Sequence, residues 1–241
     1  MVLHLALGAG LLAAGLIQLP DAARAGRAVD LELVLAIDVS GSVDVDEFLL
    51  QREGYAAALR DPEVGAAIEA LPGGMAMTAL VWSGRTQQAV VLDWVHVRDA
   101  ADARVAAARV GRMTRTLLGE TALGDALGFA LRRLDQSPFE GRRQTIDVSG
   151  DGKTNAGHEP DPLRDLAIVR GITINALAIV DEQPDLVGYY ERHLIGGPGA
   201  FIIQVDGFDD FAAAIREKLL HEIRGGPLAS GGAAGNRVAG R

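Results

Sequence analysis

A chain of 241 residues, 49% apolar and 23% charged, has material for one large core or two small ones. Its net charge of −9 argues against nucleic acid and anionic membrane as main partners, since both repel an acidic surface, and it suits a protein that handles cations. The absence of cysteine removes disulfides, cysteine–zinc sites, iron–sulfur clusters and thiol nucleophiles together.

The first 25 residues differ from the rest. An apolar run, LALGAGLLAAGLIQL, leads into PDAARA, where Ala23-Arg24-Ala25 matches a small-x-small cleavage site. The run is short for a membrane span. Residues 1–25 therefore read as a secretory signal peptide, although no Lys or Arg precedes the run, which leaves a start further upstream or an uncleaved anchor as the alternatives. The mature chain is expected to start near Gly26, to be exported to the periplasm or the medium, and to carry no membrane span. Within the leader, Gly8-Ala9-Gly10-Leu11-Leu12-Ala13 satisfies a dinucleotide-binding pattern, but no strand precedes it and it carries no such reading.

Apolar runs then alternate with amphipathic stretches. Residues 31–37 (LELVLAI) read as a buried strand. Helical spacing follows over 44–59, Asp61-Pro62 breaks it, and Pro62 starts a second piece to Leu71. Two strands, 75–82 and 87–94, are joined at Ser83-Gly84 by a short hairpin signal. Helices are expected over 99–113 and 122–134, a strand over 143–150, a helix over 162–171 and a strand over 172–180. A helix over 186–194, a strand over 200–205 and a helix over 208–223 complete the pattern. The alternation predicts an α/β domain over 30–223, with a doubly wound, mostly parallel sheet, one antiparallel edge strand and helices on both faces. Residues 224–241, rich in glycine and small residues, read as a disordered tail.

In such sheets ligands bind beyond the carboxyl ends of the strands, where strand order reverses. The stretch AIDVSGSVDVDEF places Asp38, Ser40 and Ser42 at the end of the first strand. Two later loops are comparable: Thr121 in LGETALGDAL, and Asp151-Gly152 after the 143–150 strand. A phosphate loop ending at Gly152-Lys153-Thr154 fails, because its first glycine position is Asp147 and Asp151 falls inside the cradle. A serine nucleophile has no elbow motif here, and an aspartyl phosphotransferase would want an acid where Ser40 stands. A calcium loop starting at Asp147 puts His158 where the bidentate glutamate belongs. Hydrolase and NTPase are thus the weaker alternatives. Two aspartates, two serines and a threonine are hard oxygen donors, which suit Mg²⁺, with Mn²⁺ or Ca²⁺ as alternatives, and not zinc. Neutral hydroxyls leave such an ion under-neutralised and attractive to a carboxylate from outside.

Asp38-Val39-Ser40-Gly41-Ser42, then Thr121, then Asp151-Gly152 resembles the metal-ion-dependent adhesion site of von Willebrand factor type A domains, in which D-x-S-x-S is followed by a distant Thr and a distant Asp. The resemblance spans about residues 30–223 and is nearest to an exported bacterial branch. It implies a non-enzymatic binding module of the cell envelope. Ser40, Ser42 and Thr121 would offer hydroxyls to the ion, Asp38 and Asp151 would act directly or through water, and a partner protein's Glu or Asp would complete the shell. A scaffold with a vestigial site is the remaining alternative. The plainer reading makes Ser40 and Ser42 caps of the next helix, Trp82 and Trp94 packing residues, and Lys153 and His158 loop surface. Asp147, a charge inside an apolar strand, receives no role from the sequence.

Overall fold

The computed structural model describes residues 26–181, 183–225 and 238–240. The expected leader, residues 1–25, lies outside the described residues. So does most of the expected tail, although Val238–Gly240 within it forms a short strand. Among the described residues no helix is long and apolar enough to cross a membrane.

Strand β1 (Arg27–Asp38) leads into helices α1 (Val45–Arg60) and α2 (Pro62–Glu69). The hairpin β2 (Met75–Trp82) and β3 (Gln88–Val97) is followed by α3 (Ala100–Val110) and α4 (Leu123–Asp135). Then come β4 (Phe139–Gly150), α5 (Asp161–Val169), β5 (Thr173–Ile179), α6 (Leu186–His193), β6 (Phe201–Val205), a 3₁₀ turn, α7 (Phe211–Arg224) and β7 (Val238–Gly240). The sheet runs β3-β2-β1-β4-β5-β6-β7. All pairings are parallel except the β2–β3 hairpin and the β6–β7 pair. The hairpin supplies the antiparallel edge predicted from Ser83-Gly84, and β7 adds a second one within the stretch read as tail.

Local chemistry sets the helix boundaries. Asp44 caps α1: its carboxylate accepts from the Glu47 amide, and Glu47 accepts from the Asp44 amide at 2.7 Å, a reciprocal pair worth roughly 1 kcal/mol. Ser40 and Ser42 are therefore not the caps of this helix. Asp61 ends α1 and caps α2, with Pro62 at the first helical position, where its missing N–H is not needed.

The period-two alternation of the central strands sorts the core into two layers. Leu31, Leu33, Leu35 and Ile37 pack with α1, α3 and α7 on one face. Val34, Ala36, Ile146 and Val148 pack with α4 and α6 on the other. Trp82 is fully buried in the second layer, and Trp94 packs on Phe139 while its indole N–H donates to the Arg133 carbonyl. Both are packing residues, as expected.

One face of β4 departs from the apolar rule. Thr145, Asp147 and Ser149 point toward α1 and α7, and all three are buried. Ser149 accepts from the Tyr55 hydroxyl at 3.1 Å. Asp147 pairs with Lys218 of α7, and Lys218 also reaches Glu222 at 3.0 Å. Asn175 of β5 donates to Glu222 at 3.0 Å. One cation thus faces two carboxylates with no solvent to help, so the cluster is over-supplied with negative charge unless one acid keeps a proton. Burial, with Asp147 beside it, pushes the Glu222 carboxyl up to about 8.

That shift has a sign. Between about pH 4.5, where the unfolded side chain ionises, and about 8, folded Glu222 holds a proton that the unfolded chain has lost. Its contribution is fully present below this window and is lost as the pH rises through it, at no more than about 1.4 kcal/mol per unit. Denaturant titrations at pH 5, 6.5 and 8 are expected to show falling stability, with a shallower fall in Glu222→Gln. An equal fall in both proteins would mean that Glu222 is not the group responsible.

The start of β1 and the close of α7 lie at one end of the fold. Arg27 opens β1 beside Phe139 at the start of β4, and Arg143 of β4 donates to the carbonyls of Glu222 and Ile223 at the close of α7.

Candidate metal centre

Strand order reverses at β1, whose neighbours are β2 and β4. Parallel pairing brings the carboxyl ends of β1 and β4 level, with Ile37 opposite Ser149. The loops after these two strands therefore leave side by side at the opposite end from Arg27, and they carry Asp38, Ser40, Ser42 and Asp151. Thr121 reaches the same place in the loop before α4. The Gly41 amide donates to the Gly119 carbonyl at 2.8 Å, and the Ala122 amide to the Ser83 carbonyl at 2.9 Å, which tie that loop down.

All five predicted residues meet. The Thr121 hydroxyl lies 3.3 Å from the Ser40 hydroxyl, which lies 3.4 Å from that of Ser42. Ser42 donates to Asp151 at 2.9 Å. One carboxylate oxygen of Asp38 accepts from the Ser40 amide at 2.7 Å. Asp38, Ser40, Thr121 and Asp151 are buried, and Ser42 is exposed, so the row of oxygens opens to solvent at Ser42.

The second Asp38 oxygen, Oδ2, is buried without a hydrogen-bond partner. Burial, with Asp151 adding repulsion, pushes the Asp38 carboxyl up to about 8, against the pull of the Ser40 amide and Arg115. An orphaned, desolvated carboxylate oxygen beside a second acid is an arrangement that a cation relieves. Gly150 keeps this space open: a Cβ there would stand 2.8 Å from the Tyr190 hydroxyl and 3.0 Å from Asp38 Oδ2. The donor set of two carboxylates and three hydroxyls fits a hard divalent ion. Among the described residues no group of three or more His, Cys, Asp or Glu side chains is placed to hold a metal.

Supporting residues outside the sequence motif hold the loops. Gln51 of α1 is buried and donates to the Asp38 carbonyl at 3.1 Å. Arg115 donates to the Ser40 carbonyl at 3.0 Å. Asn155 accepts from the Thr121 amide at 2.8 Å, and Tyr190 donates to the Gly152 carbonyl at 3.1 Å. Gln51 was detectable as a polar residue in the Phe48–Tyr55 apolar stripe, whereas Arg115 lies in a stretch without periodicity. Lys153 and His158 pair at the loop surface with Asp185 and Asp125, respectively, and neither joins the row of oxygens.

Residues 28–227 match a family described as "Protein of unknown function (DUF1194)". No curated protein matches the chain. Among solved structures, proximal thread matrix protein 1 from the mussel byssus, with its metal-ion-dependent adhesion site occupied by zinc, is 18% identical, with a TM-score of 0.58 over 82% of this chain and 46% of that one. A von Willebrand factor type A protein from Catenulispora acidiphila is 19% identical, with a TM-score of 0.59 over 80% and 43%. The pilus adhesin SpaC from Lactobacillus rhamnosus GG is 12% identical, with a TM-score of 0.61 over 81% and 31%. The chain thus spans less than half the length of each of these structures. The fold is that of von Willebrand factor type A domains.

Proposed function

The chain belongs to the DUF1194 family of proteins of unknown function, and on that footing we propose that its five-residue cluster holds a divalent cation through which it captures a carboxylate of another protein. Ser40, Ser42 and Thr121 would present hydroxyls to the ion, and Asp38 and Asp151 would anchor it directly or through water. Mg²⁺ suits this donor set best. When bound, the ion supplies a Lewis-acidic position that a Glu or Asp side chain from outside can fill. The protein's own part is to orient the donors: Gln51 and Arg115 fix the 38–42 loop by its carbonyls, and Asn155 fixes Thr121. No bond is made or broken in this scheme, so the outcome is adhesion or assembly and not catalysis.

The observation that carries the reading is the orphaned oxygen of Asp38 behind a row of hydroxyls that opens at Ser42. The architecture shared with an adhesin and with a byssus matrix protein supports a protein-interaction role. An envelope location is part of the proposal, and it rests on the apolar leader and its small-x-small site.

Calorimetric titration with Mg²⁺, Mn²⁺, Ca²⁺ and Zn²⁺, run on the parent and on a folded Asp38→Ala, Ser40→Ala variant, tests the site. One ion per chain is expected, with binding lost in the variant. A second series contains acetate, since a carboxylate from outside would complete the shell. No binding in either series would leave a scaffold with a vestigial site.

A further inference from the structure

The outer edge of the sheet at β3 is a ten-residue strand that, among the described residues, pairs only with β2. Beside it runs the chain after α3. Among the described residues no backbone hydrogen bond joins residues 112–118 to β3. The gap between them is a cavity of about 540 Å³, which Val90, Asp93, Arg109, Arg112, Thr114 and Thr116 help to line.

Two features of this gap favour an occupant. An edge strand presents a row of outward N–H and C=O groups, which natural proteins usually cover or blunt with charge. On β3 the acidic residue at the cavity, Asp93, is engaged by Arg133, and Val90 is exposed. The pairing irregularities opposite Met77–Leu80 bend β3, but no other strand covers its outer edge among the described residues. The second feature is charge. In a chain of net charge −9, Arg109 and Arg112 line this cavity, and among the described residues neither is in an ion pair. Thr114 and Thr116 add hydroxyls along the same wall.

We propose that this groove receives an extended acidic segment of a partner protein, added to β3 as a further strand. Main-chain hydrogen bonds to the β3 edge would supply the affinity, as in other strand-addition complexes. Arg109 and Arg112 select for carboxylates on the wall side and oppose basic segments. The groove contains none of the five clustered residues, although Arg115, between Thr114 and Thr116 of its wall, holds the Ser40 carbonyl; its occupant needs no metal.

A fluorescein-labelled decapeptide of alternating Glu and Val, titrated onto the full chain in EDTA at low salt, tests the proposal by fluorescence anisotropy. Saturable binding is expected, with slowed amide exchange confined to β3 and the 112–116 segment. Arg109→Glu with Arg112→Glu is expected to weaken binding by about tenfold or more. The same peptide with N-methylated alternate amides should lose most of its affinity, because it keeps its charges but cannot pair as a strand. The Asp38→Ala, Ser40→Ala variant should bind like the parent. Equal binding of the N-methylated peptide or of a Lys–Val peptide would overturn the proposal. So would loss of binding in the folded Asp38→Ala, Ser40→Ala variant, or no binding of the Glu–Val peptide at all.

Discussion

Replacing Lys218 with methionine is expected to destabilise the protein by about 3–5 kcal/mol, the usual result of removing one partner from a buried ion pair. Lys218 is fully buried, and so is Asp147; Glu222 is nearly so. Without the ammonium group, the two carboxyls lose their shared counter-charge, and Asp147 has no other ion-pair partner among the described residues. The whole cluster is a different matter, because its attraction is offset by the desolvation of its charged groups. The triple variant Asp147→Val, Lys218→Met, Glu222→Gln keeps an acceptor for Asn175 and removes every charge. It should recover most of the loss. Urea unfolding of parent, single and triple variants is the measurement. A triple variant as unstable as Lys218→Met would show that packing, and not unpaired charge, governs this seam.

Asp38→Asn is expected to separate stability from ion binding. In the metal-free protein Asp38 buries an oxygen without a partner and lies close enough to Asp151 for repulsion to contribute to its raised pKa. An amide removes that charge while its oxygen can still accept from the Ser40 N–H. In EDTA at pH 8 the variant should be more stable than the parent by about 1–3 kcal/mol. Its affinity for Mg²⁺ should fall by about tenfold or more. Saturating Mg²⁺ should then reverse the ranking, because a ligand that binds only the folded form stabilises only the protein that can hold it. Thermal unfolding with and without Mg²⁺ reads both effects. A variant that is less stable in EDTA and still binds the ion would refute this account of Asp38.

The site was legible in the sequence to the extent that side-chain chemistry carried it. D-x-S-x-S followed an apolar strand, and Thr121 and Asp151 sat in loops that a doubly wound sheet brings together. The strands were legible for a related reason: the 31–37 and 172–180 runs are buried on both faces and so are mostly apolar, with Glu32, Thr173 and Asn175 as the exceptions. What stayed hidden depended on partners far along the chain. Asp147 looked anomalous because its counter-charge, Lys218, comes 71 residues later on a helix whose position over β4 no local pattern specifies. Arg115 and Asn155 act on backbone groups of the 40 and 121 loops, and such contacts leave no periodic trace. The strand over 143–150 starts earlier, at Phe139, because β1 extends back to Arg27 and offers Arg27 through Val29 as partners. Pairing with β1 extended that strand beyond what its polar sequence suggested.

Arg27 and the close of α7 lie at one pole of the domain, and the row of oxygens opens at the other. Whatever is attached before Arg27, or after Gly240 opposite Phe201 at the start of β6, the domain would be carried with Ser42 pointing away from the attachment. Two molecules tethered to facing surfaces would meet with these openings toward each other. Rotating the domain on its tether would sweep the opening over an area while keeping it outermost. The polarity of a parallel sheet, fixed by the direction in which β1 runs, thus sets which way the molecule faces.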